Sequence, residues 1–402
     1  MTRFFKVLAG FTLALIPLSF PLSLPGGVVL NFPSECLLVL LGVGVAVALF
    51  QGKLPEKEKL RHPITLLLLL DLLITFLSAL NSEIPLVSFK RLAVKTLYLG
   101  VFYIGMLRVF SDRQMITKYF SAVLTGLMAV VVWATLRHFS YGPEVRFAPA
   151  MPRPFFSDHT IYGAVIAFFL PLVWAKMQEK KISLKNPLLL GVVVLLFMGL
   201  ILSFSRGAWL SVLFAGVVWG LLQGTFSRKG VWVLFPVLWL FLAGTLFYTG
   251  KTAYVFENVS NQEHLNRWHT AWRLFEMRPL LGWGPGTYQH VYGPYQQPKE
   301  MTRISTYRGD GGNAHSEYLG PLAETGLAGG ILPLLLVIFI VKTGVSKIGK
   351  RPQETPLFTG IFLALLTFWF HGLMNGFLDQ DKMAVLVYGG MAALVQLQKK
   401  PE

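Results

Sequence analysis

Long apolar runs alternate with shorter polar segments along the whole chain. About twelve of these runs approach the roughly 20 residues that an α-helix needs to cross the hydrocarbon core of a bilayer. They lie near residues 4–24, 34–51, 63–81, 92–110, 117–139, 160–177, 187–205, 207–224, 231–250, 329–343, 356–378 and 381–397. A helix pairs its backbone groups internally, and the ten-residue alternation of a membrane barrel does not appear. We therefore predict an all-α polytopic membrane protein.

The same pattern divides the chain into three parts. Residues 1–250 hold predicted spans 1–9, residues 251–328 form a long polar loop with amphipathic helices, and residues 329–402 hold predicted spans 10–12. An even number of spans places both termini on one side, and the larger share of the Lys and Arg residues lies on that side. The positive-inside rule then predicts cytoplasmic termini and an external loop at 251–328.

The composition agrees with insertion into a membrane. Hydrophobic residues make up 54% of the chain and charged residues 14%, whereas soluble domains are about 25% charged. The formal net charge of +16 would suggest nucleic acid in a soluble protein. Here the basic residues flank spans, which indicates positive-inside bias or attraction to an anionic lipid, and no nucleic-acid partner. Cys36 is the only cysteine, which excludes an intramolecular disulfide.

Arg206 is the first candidate for chemistry. It lies in Ser203-Phe204-Ser205-Arg206-Gly207, between two apolar runs that are each about one span long. An arginine at the edge of the hydrocarbon either binds an anionic headgroup or merely extends its charge into the interface.

The external loop contains a predicted amphipathic helix from Gln262 to Arg278, ending before Pro279. Its apolar residues recur at spacings of three and four, at Leu265, Trp268, Trp272 and Phe275. Such a helix lies either on the membrane surface or on the spans. Arg267 adjoins the apolar stripe and Arg273 follows it. A guanidinium suits phosphate because it stays charged and forms two parallel hydrogen bonds, although a solvated basic face is the alternative.

His315 follows a glycine-rich stretch and precedes Ser316. Asn313 is a predicted helix N-cap, which would put His315 in the first helical turn. A helix N-terminus disfavours the imidazolium, so the ring would stay neutral and able to accept a proton. The alternative is a histidine that only hydrogen-bonds a loop. We predict no metal site, since the other histidines show no recognised ligand spacing.

Two further places carry polar residues at predicted spans. Arg153 and His159 bracket the turn before the sixth span. Asp71 lies in the middle of the third span, where an acid is normally paired or functional. Lys95 is the nearest cation within a span in sequence, but the predicted depths differ, so no pair is predicted.

The order of these motifs resembles that of the O-antigen ligase and O-antigen polymerase superfamily of bacterial envelope glycosyltransferases. The similarity rests on Ser205-Arg206-Gly207 between two spans, then Asn266-Arg267-Trp268, then Pro279-Leu280-Leu281-Gly282-Trp283-Gly284. Last comes His315-Ser316, followed after nine residues by Gly326-x-x-Gly329, a spacing similar to that of the ligase subgroup. The match covers about 150–330. The Arg153–His159 segment departs from a family pattern, so the resemblance assigns it no role.

The resemblance implies a GT-C-like fold and a metal-independent reaction at the periplasmic face of the bacterial inner membrane. A glycan would pass from undecaprenyl pyrophosphate to a sugar hydroxyl of the lipid A core, in lipopolysaccharide biosynthesis. The resemblance puts Arg206 and Arg267 on the pyrophosphate and His315 beside the acceptor hydroxyl. Further candidates, without a firm role, are Arg273, Arg153, His159 and Ser316. The reaction would need no cofactor and would invert the anomeric configuration.

Three alternatives remain open at this point. A polymerase of the same superfamily would use the same donor and join lipid-linked repeat units. A protein oligosaccharyltransferase would transfer the same glycan to protein. A flippase for the lipid-linked glycan is less favoured, because the paired inverted halves of such transporters do not appear in the sequence.

Overall fold

The computed structural model describes residues 3–23, 29–180, 186–223, 254–305, 312–348 and 355–398. Within these ranges the chain is mainly helical. The helices of the first half are α1 (Arg3–Leu15), α2 (Ser34–Phe50), α3 (Lys57–Leu60), α4 (Pro63–Leu80), α5 (Pro85–Tyr98), α6 (Gly105–Val109), α7 (Arg113–Tyr141) and α8 (His159–Lys180). Those of the second half are α9 (Pro187–Leu202), α10 (Arg206–Leu222), α11 (Tyr254–Met277), α12 (Tyr288–Val291), α13 (Leu319–Ile348), α14 (Pro356–His371) and α15 (Asp381–Gln398).

Five stretches of helix in the described residues are long and apolar enough to cross a membrane. They are Pro63–Leu80, Pro85–Val109, Arg113–Tyr141, His159–Gln178 and Leu319–Ile348. Four shorter apolar helices are α2, α9, α10 and α14. The second stretch joins α5 to α6 through a π-helical segment, Leu99–Ile104. The total of about twelve spans and the GT-C-like arrangement stay predictions, and the ninth predicted span, 231–250, lies outside the described residues.

The first predicted span, at 4–24, is wrong in its extent. Helix α1 ends at Leu15, and Phe20–Ser23 then pairs antiparallel with Val29–Phe32 as a two-stranded sheet. The reason lies in Pro17 and Pro21, which lack the backbone N–H that a continuing helix requires. A helix of 13 residues is about 20 Å long, which is shorter than the roughly 30 Å hydrocarbon core.

The core of the bundle is built around α8, α14 and α15. Every side chain from Leu357 to Trp369 is buried, as is every side chain from Asp381 to Val395. A helix that is apolar and buried on all sides lies in the interior of a large bundle. Other helices expose apolar side chains, for example Leu66 and Leu73 of α4, which are each about half-exposed. Such surfaces are expected where a helix faces lipid.

Asp71 and Lys95 form an ion pair that is not predicted from the sequence, where their predicted depths differ. Lys95 Nζ lies 2.7 Å from Asp71 Oδ2 and donates a second bond to Thr75 Oγ1 at 2.9 Å. Helix α5 begins at Pro85, seven residues before the predicted boundary. Lys95 therefore lies about 15 Å from the start of α5, and Asp71 lies about 14 Å from the end of α4. The two antiparallel helices thus bring the charges to the same depth.

The tenth predicted span begins earlier than 329. Helix α13 starts at Leu319 and contains one non-helical residue, Gly326, with φ 73° and ψ −165°. The turn that precedes α12 packs against this point: Leu327 N–H donates to Pro279 O at 2.8 Å, and Trp283 N–H donates to Ala323 O at 3.2 Å. The described part of the polar loop is therefore fixed to the start of helix α13.

Candidate functional site

The ends of several helices gather on one face of the bundle. Ser78 at the end of α4 donates to Leu281 O at 2.6 Å, and Glu83 N–H, just before α5, donates to Trp283 O at 3.2 Å. His159 Nδ1, at the start of α8, donates to Ser203 O at 2.6 Å, because a carbonyl oxygen can only accept. The turn between α9 and α10 and the polar loop with α11 thus share one face.

Arg206 is the first residue of α10. Ser205 caps this helix by accepting from Ala208 N–H at 3.4 Å, and Phe204 before it has φ 49°. Arg206 Nη2 donates to Asn261 Oδ1 at 3.0 Å, so the turn between α9 and α10 is joined directly to α11. The predicted position of Arg206 between two apolar helices is confirmed.

Arg267 lies on the buried face of α11 and is only 4% exposed. Its Nε donates to Glu263 Oε1 at 3.0 Å, and its Nη1 donates to Asn313 O at 3.1 Å. The Tyr288 hydroxyl donates to Arg267 O at 2.8 Å. A Cβ at Gly312 would lie 1.7 Å from Arg267 Nη1, so only glycine lets the backbone pass so close to this guanidinium. Arg267 is therefore enclosed and held by neighbouring protein groups through at least two of its guanidinium nitrogens.

His315 lies in a turn before α13, so its predicted place in the first helical turn is wrong. The cap is Ser316, whose Oγ accepts from Tyr318 N–H at 3.2 Å and from Leu319 N–H at 3.3 Å. Asn313 instead accepts from His315 N–H at 2.9 Å, while its Nδ2 donates to Gly376 O at 2.9 Å. His315 has φ 48°, a left-handed conformation that is uncommon for a residue with a side chain. The turn is held on its other side by Glu317 N–H, which donates to Gly372 O at 2.8 Å.

His264 and His315 are in ring contact. Their ring centroids lie 4.6 Å apart, with the planes at 47°. Trp268 lies one helical turn after His264 and edge-on to the His264 ring, with the two ring centroids 6.2 Å apart. Its Nε1–H donates to His315 O at 3.2 Å. Helix α11 and the turn before α13 therefore meet through two imidazoles and one indole.

The two arginines and the histidine pair form one electrostatic cluster. Burial lowers the pKa of His264 most, and the charges of Arg267 and Arg206 lower it further, to about 4, against a smaller opposing effect of Glu263. His264 is consequently neutral near pH 7, and the cluster carries a positive potential suited to an anionic ligand.

Glu324 of α13 fixes the glycine-rich turn that follows α11. Its carboxylate accepts from Gly286 N–H at 2.8 Å and from Tyr288 N–H at 3.1 Å. Because the Tyr288 hydroxyl binds the backbone of Arg267, the start of the span, the turn and the arginine form a continuous chain of contacts.

The remaining candidates lie away from the cluster or have structural contacts. Arg273, six residues after Arg267, forms an ion pair with Glu300 and donates to Tyr295 O at 2.9 Å. Arg153 is exposed and donates to Ser157 O at 3.3 Å. His159 anchors the turn before Arg206, as described above, and Ser316 caps α13.

Sequence reasoning missed His264, Trp268 and Asn261 as members of the cluster. A signal was present, since residues three and four apart on a helix are neighbours, and His264 precedes Arg267 by three and Trp268 by four. In the part of the chain that the structure describes, no group of three or more His, Cys, Asp or Glu side chains is placed to hold a metal ion. The metal-independent reaction stays a prediction.

The comparison with protein families gives one match. Residues 191–334 match a family model described as O-antigen ligase. The matched stretch runs from α9 into α13 and includes Arg206, Arg267 and His315. A comparison with curated proteins finds no match.

Proposed function

We propose that this chain, whose residues 191–334 carry an O-antigen ligase domain, transfers a glycan from a polyprenyl pyrophosphate to an acceptor hydroxyl at the membrane surface. The proposed donor is glycan-linked undecaprenyl pyrophosphate and the proposed acceptor is the lipid A core. We place the reaction on the periplasmic face of the inner membrane, because the larger share of basic residues lies toward the opposite face.

The observation that carries this proposal is the approach of two arginines and a histidine pair from three separate stretches of sequence. Arg206 bonds to α11, Arg267 bonds to the turn of His315, and both charges act on His264. Cations held at the edge of the hydrocarbon attract the pyrophosphate, while the lipid tail stays in the bilayer.

The reaction would be a single displacement. The acceptor oxygen bonds to the anomeric carbon as the bond from that carbon to the pyrophosphate oxygen breaks, and the pyrophosphate keeps the bonding electrons. The hydroxyl proton passes to a ring nitrogen of His315. The products are the glycosylated acceptor and undecaprenyl pyrophosphate, and the anomeric configuration inverts.

Arg206, Arg267 and His315 would have different roles in the reaction. Arg206 is half-buried and can contact the pyrophosphate, whereas the enclosed Arg267 acts through its charge or by exchanging its bond to Asn313. Negative charge grows on the leaving pyrophosphate in the transition state, and loss of one fixed donor of this kind costs roughly 10²–10³ in rate. A base positioned on the hydroxyl contributes roughly 10²–10⁴.

The test uses the full chain, purified in detergent, with an undecaprenyl-pyrophosphate-linked glycan as donor. Lipid A core and a second lipid-linked repeat unit are offered as separate acceptors, with a chelator present, and products are resolved by mass spectrometry. We expect transfer to lipid A core, and Arg206→Ala and His315→Ala should each lower kcat/KM by about 10² or more.

A matched control is Arg146→Ala. Arg146 is exposed, pairs with Glu144 and lies in the segment just after α7, outside the cluster. This variant should retain transfer within about twofold of the unchanged protein. Transfer only to the second repeat unit would replace the ligase proposal with a polymerase, and unchanged transfer by both Arg206→Ala and His315→Ala would refute the proposed site.

A further inference from the structure

His315 is held by α11 at two different points. Trp268 Nε1–H donates to the His315 carbonyl oxygen, and the His264 ring lies against the His315 ring. Trp268 also contacts the His264 ring edge-on. Since His264 and Trp268 are four residues apart, they stand on one face of the helix and act together.

We propose that His264 is a positioning residue, which fixes the orientation of the His315 ring for proton transfer while Trp268 fixes the His315 backbone. This inference rests on the proposed function, in which His315 takes the acceptor proton. The family match and the sequence motifs assign no role to His264.

The backbone of His315 explains why such support is needed. Its left-handed conformation is disfavoured for a residue with a Cβ and persists only where surrounding contacts enforce it. Asn313 Oδ1 holds the His315 N–H and Trp268 holds the His315 carbonyl. With both backbone groups fixed, the ring retains only its side-chain rotations, and the tilted contact with the His264 ring restricts them.

The charge of His264 suits this role. Arg206 on α10, together with Arg267 and Glu263 on α11, are the charged groups that act on it, and the two arginines with burial keep the ring neutral. When His315 takes a proton it becomes a cation. A neutral ring beside it adds no repulsion, whereas a second imidazolium would.

The test measures transfer with His264→Ala, His264→Phe and Trp268→Phe in the full-length protein, with apparent Tm recorded for each. His264→Ala should lower kcat by about 10², which is the cost of misplacing a reacting group by about 1 Å, while the donor KM changes by less than about threefold. His264→Phe keeps a ring against His315 and should recover most of kcat. His269→Ala is the control, because His269 is exposed on the same helix and bonds Glu300.

A double-variant cycle separates this inference from the proposed function. If His264 acts through His315, His264→Ala should lower the residual rate of a His315→Ala protein by less than about threefold. A full additional loss in that background, or His264→Phe as slow as His264→Ala, would overturn the positioning role. If His315→Ala itself retains full transfer, the proposed function fails instead. Trp268→Phe should lower kcat as well, and an unchanged kcat in this variant would contradict the backbone role of Trp268.

Discussion

Gly326→Ala should destabilise the protein, because the polar loop packs against helix α13 at this glycine. Its φ of 73° lies in the left-handed region, and its ψ of −165° takes it outside the conformations that other residues share. A Cβ at this position would lie 2.3 Å from the Leu280 carbonyl oxygen and 2.8 Å from the Pro279 carbonyl oxygen.

The expected magnitude combines two costs. A backbone conformation reserved for glycine costs of order 1–3 kcal/mol with another residue, and an overpacked contact costs about 1–3 kcal/mol more. The Leu280 oxygen cannot withdraw easily, since Leu327 N–H binds the adjacent Pro279 carbonyl at 2.8 Å. We therefore expect Gly326→Ala to lower the free energy of unfolding by about 2–6 kcal/mol.

The assay is thermal unfolding of the purified protein in detergent, with Gly320→Ala as control. Gly320 belongs to the same helix, and the nearest atom that its added Cβ would meet is Ala314 Cβ, at 3.9 Å. This control should leave the apparent Tm unchanged or raise it slightly, because alanine favours a helix by up to about 1 kcal/mol. Equal apparent Tm values for the two variants would refute the packing argument.

Three further predictions concern an ion pair, a buried histidine and the need for a metal ion. Asp71→Leu should lower the free energy of unfolding by about 3–5 kcal/mol, because it leaves the charge of Lys95 without its carboxylate. The double variant Asp71→Leu/Lys95→Leu should recover most of this lost stability in thermal unfolding. A double variant no more stable than Asp71→Leu would contradict this pairing. The pKa of His264 falls from an ordinary 6.5 to about 4 in the fold, so its stabilising effect is complete above pH 6.5 and declines as the pH falls toward 4. His264→Phe should flatten the fall of apparent Tm over that window, and an unchanged slope would count against a neutral buried ring. Transfer should continue in excess EDTA, and loss that is restored by a divalent metal would disprove the metal-independent reaction.

Helix α11 shows what periodicity can and cannot reveal. The spacing of three and four predicted a helix from Gln262 that ends before Pro279. The helix Tyr254–Met277 confirms the helix and its end, but it begins eight residues earlier than predicted. The predicted apolar stripe, however, is not the buried face. Leu265 and Trp272 are about half-exposed, while Asn266 and Arg267 are buried. Periodicity separates the apolar face of a helix from its polar face. It does not say which face packs on the protein, because beside a membrane the apolar face can contact lipid instead.

The turn of His315 could not be predicted for a different reason. The rule for N-caps favours asparagine and serine nearly equally, so local sequence does not decide between Asn313 and Ser316. Partners distant in sequence fix the turn instead, since Trp268 Nε1–H donates to the His315 carbonyl and Gly376 O accepts from Asn313 Nδ2. The motifs identified Arg206, Arg267 and His315 as a set, whereas the contact between His264 and His315 depends on how α11 docks.

The enclosed position of α14 and α15 has a consequence for biogenesis. These two helices, from Pro356 to Gln398, are the most completely surrounded and follow all the other described helices in the order of synthesis. Helix α8 packs against α14 and therefore lacks this partner until α14 has been synthesised. A premature stop codon near residue 355 would expose apolar side chains of α8 that are buried in the full chain, and we expect quality-control proteases to remove such a product.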